Sequence, residues 1–174
     1  VAREIEVKII GIDPGKIRAT LQEHGAVRVK EVFQRNTLFT GKAGALPKGT
    51  LVRLRQEDHS STVTLCVKGP KQYSSGHKVR DEYEVDMPEE DAVKMLGLIG
   101  LRSSHSTEAK REYWSLEKCS VEIIWLPRLP PFLEIEGTEA DIKKVATILG
   151  FSEKNYDDRS IFEIFGLKKG DLRF

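Results

Sequence analysis

The 174-residue chain has little of several things, and each shortage closes off a class of protein. There are two cysteines, Cys66 and Cys119, far apart and without metal or redox spacing. That excludes a disulfide scaffold and points to reduced thiols in a cytoplasmic protein. The four histidines (His24, His59, His77, His105) are scattered, and none stands at ligand spacing to a cysteine, which argues against zinc chemistry. Net charge is only +1, so bulk electrostatics offers no nucleic-acid or membrane partner. No apolar run approaches the ~20 residues of a membrane span, and residues 1–10 are already a charged, alternating segment rather than a leader.

What the chain does have is charge of both signs. Charged residues make up 32% of it, above the ordinary ~25%. Hydrophobic residues still reach 39%, enough for one core at this length. Period-two alternation predicts strands over Arg3 to Ile10, Leu51 to Arg55, Thr62 to Lys68, Arg80 to Asp86 and Leu133 to Glu136. Weaker patterns predict others over Phe33 to Phe39, Lys110 to Leu116 and Ser120 to Leu126. Helices are expected after Asp13-Pro14, after Asp86 and Pro88, after Thr138, and over Ser160 to Phe165. With no Pro/Gly/Ser-rich linker, residues 1–174 read as a single α+β domain. The C-terminal Lys168, Lys169 and Arg173 read as a solvated tail.

In a strand, residues i, i+2 and i+4 share a face. Glu4, Glu6 and Lys8 therefore stand opposite Ile5, Val7 and Ile9; Arg53 and Arg55 stand opposite Val52 and Leu54. Lys68 opposes Leu65 and Val67; Arg80, Glu82 and Glu84 oppose Tyr83 and Val85; Glu134 and Glu136 oppose Leu133 and Ile135. These polar faces hold almost no Thr, Ser or Gln, unlike an ordinary solvated sheet face. If helices cover the apolar faces, the charged faces converge and the sheet curls into a barrel lined with ions. With Glu122, Lys8 and Arg111 added, that lining has more carboxylates than cations. Buried ions need partners. Carboxylates that hold a hard divalent cation, beside Arg and Lys that hold phosphate, make up the equipment of phosphoryl chemistry.

The ordered motifs resemble the CYTH superfamily, the triphosphate tunnel metalloenzymes. E-I-E-V-K at Glu4 to Lys8 is similar to that family's ExExK signature. It is followed in order by L-V-R-L-R, V-T-L-C-V-K-G-P, V-R-D-E-Y-E-V, the Lys110/Arg111 pair and P-P-F-L-E-I-E-G. The resemblance implies an eight-stranded antiparallel tunnel with a charged interior and helices outside. It implies Mg²⁺ or Mn²⁺ held by Glu4, Glu6, Glu134 and Glu136. It also implies triphosphate oxygens held by Lys8, Arg53, Arg55, Lys68, Arg80 and Arg111, with Glu82 and Glu84 in support. At the position where the family has an Asp metal ligand, this chain has Ile124; Glu122, on the same face, either substitutes for it or leaves the metal site weakened. The expected substrate is tripolyphosphate, thiamine triphosphate or ATP, without nucleic acid or membrane, in a monomer or homodimer. Three readings stay open: hydrolysis, which needs only the residues named; cyclisation of ATP to cyclic AMP; and polyphosphate or nucleotide binding without catalysis.

Overall fold

The computed structural model describes residues 2–70, 72–74, 77–168 and 170–174, with side chains for 5–70, 81–168 and 170–174. Among the described residues, strands and α-helices follow one another in the order β1 (Ala2–Ile10), α1 (Pro14–Glu23), β2 (Val27–Thr40), β3 (Leu51–Glu57), β4 (Thr62–Lys68), β5 (Gln72–Ser74), β6 (His77–Pro88), α2 (Glu89–Leu98), β7 (Arg102–Leu116), β8 (Cys119–Trp125), β9 (Phe132–Glu136), α3 (Glu139–Ile148), β10 (Tyr156–Asp157) and α4 (Ile161–Ile164). None of the described helices is long and apolar enough to cross a membrane.

All strand pairs are antiparallel, in the order β10-β1-β9-β8-β7-β2-β3-β4-β6-β5. A further pairing of β1 with β6 along Ala2 to Glu6 brings the two sides of the sheet together, so eight strands curl around a lumen. The short β5 and β10 are appended at the margins.

Helices α1, α2 and α3 lie outside, as the alternation required, whereas α4 lines one part of the lumen. Ile17 and Leu21 of α1 and Ile142, Val145 and Ala146 of α3 close over the outer faces of β1, β9, β8 and β7, meeting Val7, Ile9, Val121, Ile123, Leu133 and Ile135. A second core beneath α2 joins Ala92 and Leu96 to Val52, Leu54 and Val63. Each such aliphatic side chain contributes about 1.5–3 kcal/mol on burial. The helix starts follow local chemistry. The Asp13 carboxylate accepts the Gly15 and Lys16 N–H groups, and Thr138 Oγ1 accepts the Asp141 N–H at 3.2 Å.

The structure departs from expectation at several points, and β2 already begins at Val27 rather than Phe33 while β5 and β10 were not foreseen. Asp86 does not cap α2; it lies within β6, where its carboxylate accepts the Thr64 hydroxyl at 2.7 Å, and the strand runs on to Pro88. Strand β7 begins at Arg102 rather than Lys110, pairing with the nearly as long β2 through two register shifts. The C-terminal end is not a free tail: the Leu172 N–H donates to the Ser106 carbonyl and the Leu172 carbonyl accepts the Glu108 N–H. Lys169 lies outside the described residues.

Candidate functional site

The lumen is a cavity of about 1580 Å³ into which most of the expected charged residues converge. On the wall formed by β1, β9, β8 and β7, register sets the contacts: Lys8 stands beside Glu134, Glu6 beside Glu136, and Glu122 beside Glu134. The Lys8 ammonium donates to Glu6 at 2.9 Å and lies 3.6 Å from Glu134. Arg111 Nη1 bridges Glu122 and Glu134 at 2.5 and 3.2 Å. Burial alone would pull the Lys8 and Arg111 pKa values down. The adjoining carboxylates more than offset it, and both stay fully charged above their ordinary values.

The facing wall, from β3, β4 and β6, places Arg53 against Cys66 and Lys68 against Glu82 in register. Lys68 meets Glu82 at 2.9 Å. The arginines are held more loosely: Arg53 lies 3.8 Å from Glu82 and 3.9 Å from Glu84, and Arg55 lies 3.6 Å from Glu84. Glu82 also accepts the Cys66 thiol at 2.8 Å. Burial, with Arg55 and Arg111 nearby, pulls the Arg53 pKa down.

Each sign of charge therefore has a place where it is in excess. Around Arg53, three guanidinium groups raise the local positive potential. At Glu136, whose side chain still reaches solvent, partial loss of water around the carboxyl and the neighbouring Glu122 and Glu6 push it up to about 7. Glu122 is likewise raised, by burial and Glu134 against the pull of Arg111. The first place favours an anion, the second a cation. Moreover, the Nε–H groups of Arg53, Arg55 and Arg111 are all buried and find no hydrogen-bond acceptor among the described residues. An orphaned buried donor costs about 1–3 kcal/mol, and three on one lumen define a ready receptor for oxyanions.

Glu6, Glu134 and Glu136 offer hard oxygen donors of the kind Mg²⁺ or Mn²⁺ takes, and the raised Glu136 fits a cation beside it. The side chains of Glu4 and Arg80 lie outside the described residues; their backbones are paired with each other where β1 meets β6. Across the lumen, Cys66, Glu82 and Glu84 also come close enough together to share an ion. Ile124 is fully buried and packs on Ala109 and Phe132, whereas Glu122 stays in the lumen on Arg111.

Sequence reasoning overlooked several lumen residues. Cys66 shares the face of Lys68 two positions on, a relation the strand period already contained. Burial and its Glu82 hydrogen bond push its thiol up to about 12. Gln34, fully buried, donates to Tyr113 and Glu57, and Asn36 lines the cavity beside Arg55. Neither amide belongs to a charged pattern, so neither stood out.

Comparison with known proteins agrees with this geometry. The family model of the CYTH domain matches residues 2–161. A solved structure from Pyrococcus horikoshii OT3, the protein PH1012, superposes with a TM-score of 0.73 at 23% identity, covering 92% of this chain and 98% of its own. A provisionally assigned adenylate cyclase of Vibrio parahaemolyticus gives 0.77 at 15% identity, covering 94% and 97%. The Hippeastrum protein HpAC1, described as having a dominant triphosphatase activity, gives 0.67 at 16%, covering 97% and 98%. At these identities the likeness is one of fold. No match was found among curated proteins.

Proposed function

The chain belongs to the CYTH domain family, and from that premise we propose that it is a divalent-metal-dependent enzyme that hydrolyses a triphosphate held in the lumen. The observation that carries this reading is the trio of buried Nε–H groups without a partner among the described residues on Arg53, Arg55 and Arg111, three side chains that line the same cavity as Glu6, Glu134 and Glu136.

Glu6, Glu134 and Glu136, with Glu4 by motif, would hold Mg²⁺ or Mn²⁺. Such an ion, when bound, supplies Lewis-acid charge to a phosphoryl oxygen and acidifies water. The chain's own groups do the rest. Arg53 and Arg55, standing 3.6–3.9 Å from their carboxylates, can exchange those contacts for phosphate oxygens at little cost. Lys68 and Lys8 add point charges, and by motif Arg80 joins them. Water oxygen attacks the terminal phosphorus, its bond to the bridging oxygen breaks, and the electron pair stays on the departing diphosphate. A proton is released to solvent. Negative charge grows on the leaving oxygen, and fixed guanidinium groups stabilise it without reorganisation.

A second reading, triphosphate binding without turnover, is favoured by Ile124, which offers the lumen no ligand atom. Product analysis separates the two. The protein is given tripolyphosphate, ATP or thiamine triphosphate with Mg²⁺ and then Mn²⁺, and the expected result is orthophosphate release abolished by chelator. Cyclic AMP with diphosphate would replace hydrolysis by cyclisation. Tight binding without product would make the lumen a binding site only.

A further inference from the structure

One unsatisfied group in the lumen is an acceptor rather than a donor. Asn36 is only 6% exposed and lines the cavity, and its Oδ1 has no hydrogen-bond partner among the described residues. It stands beside Arg55 in the β2–β3 ladder, whose Nε–H is unsatisfied in the same sense. These neighbours do not satisfy each other, and they call for different partners. A guanidinium N–H takes a phosphate oxygen. An amide oxygen can only accept, and so can an ionised polyphosphate, so Asn36 Oδ1 has nothing to offer one. What it can hold is a donor such as an O–H. A buried acceptor kept without one asks for that partner.

The orientation of the Asn36 amide is set from behind the cavity wall. The oxygen and nitrogen of an amide are told apart by their partners, and here a chain of contacts identifies each atom. Lys30 Nζ donates to Glu57 Oε2 at 2.6 Å, and a carboxylate paired with an ammonium can only accept. Glu57 Oε1 takes the Gln34 Nε2–H at 3.1 Å. Gln34 Nε2 also reaches the Tyr113 hydroxyl at 3.2 Å. With its nitrogen committed there, Gln34 presents Oε1 to Asn36, whose Nδ2 donates to it at 3.2 Å. Asn36 therefore stands one way round, nitrogen toward Gln34 and oxygen toward the cavity. Gln34 itself is fully buried and lies outside the cavity lining.

Resting on the hydrolysis reading above, we infer that Asn36 Oδ1 holds the attacking water, and that Gln34 and the Lys30–Glu57 pair are positioning residues that keep this oxygen turned to it. The water donates one O–H to the amide oxygen, which directs its lone pair instead of leaving it to tumble. Arg55, next in the ladder, holds a phosphoryl oxygen, so nucleophile and target are bound by adjacent side chains. The bond changes are those given above: the water oxygen bonds to the terminal phosphorus, the bridging bond breaks with its electron pair on diphosphate, and the proton not held by Asn36 goes to solvent. The amide takes no proton.

Steady-state hydrolysis of tripolyphosphate by the full chain tests this, with kcat and KM separated and the melting temperature recorded for each variant. Asn36→Ala should lower kcat about 10²-fold without raising KM, because no phosphate contact is lost. Gln34→Met, similar in size, frees the Asn36 amide to turn its NH₂ toward phosphate; kcat should fall about tenfold and KM should fall with it. Glu57→Gln changes a side chain 32% exposed and lets the Gln34 amide reverse. It should act in the same direction more weakly, and it decides the matter should the two buried variants fail to fold. An unchanged kcat in folded variants, or a KM that rises while kcat holds, would overturn the water site and leave hydrolysis standing. If the natural chain releases no orthophosphate from tripolyphosphate or either ester, the hydrolysis reading falls and the water site falls with it.

Discussion

On the wall of β1, β9, β8 and β7, Arg111 is locked between Glu122 and Glu134, and Lys8 sits 2.9 Å from Glu6. On the wall of β3, β4 and β6, Arg53 and Arg55 stand 3.6–3.9 Å from their carboxylates, and among the described cations there Lys68 alone is tightly paired. The same residue types thus serve two purposes. Tight pairs make buried ions tolerable and hold the barrel's interior together. Loose ones leave guanidinium groups free to change partner, which a ligand site requires and a structural bridge does not.

Arg111→Met and Arg55→Met break the comparison most sharply. The first leaves Glu122 and Glu134 buried beside each other and should cost about 3–5 kcal/mol in urea unfolding. The second should lower turnover of tripolyphosphate about 10²- to 10³-fold while shifting stability by less than about 1 kcal/mol. Equal stability losses in the two would mean that the walls do not differ in kind.

Next in size is the reactivity of Cys66, which reports how dry the arginine wall is. An acid raised from its ordinary 9 to about 12 loses thiolate at every pH below that value. At pH 8, alkylation should therefore run at least about a hundredfold slower than for an exposed cysteine. Mass-spectrometric labelling at the rate of a free thiol would show the wall to be wet.

The smallest effect concerns Glu136, where negative charge is in excess. Glu136→Gln removes one of several crowded carboxylates. In metal-free buffer it should raise the melting temperature by about 2–4 °C, and it should erase most of the extra stability Mg²⁺ gives the natural chain. A drop in melting temperature without metal would place Glu136 in a structural pair instead.

Much of the architecture was legible because strand period and charge coincide: Glu6, Lys8, Arg53, Arg55, Glu82, Glu84, Glu134 and Glu136 fall on inward faces, opposite Val7, Ile9, Val52, Leu54, Leu133 and Ile135. The first half of β7 was not legible. Arg102 to Glu108 holds small polar residues on both faces, with no apolar series to mark a strand. Its reason for being extended is β2 across the ladder, a non-local cause. The α2 start misled because Asp86 is a good cap by type, but Thr64 on β4 claims its carboxylate. Of the site, the charged band was readable from spacing and motif. The part lined by the C-terminal segment was not, because Phe162 reaches it through a ring contact with His105 and Leu172 through hydrogen bonds to β7, both made only in the folded chain.

The pairing of β1 with both β6 and β9 bears on how the protein is made. During synthesis β1 leaves the ribosome well before either neighbour exists, so Lys8 meets Glu134 only after most of the chain is produced. The contacts that complete the lumen are among the most distant in sequence and the slowest to find. A nascent or truncated chain lacking β9 cannot assemble the acidic side of the lumen, and the chemistry is withheld until the barrel is whole.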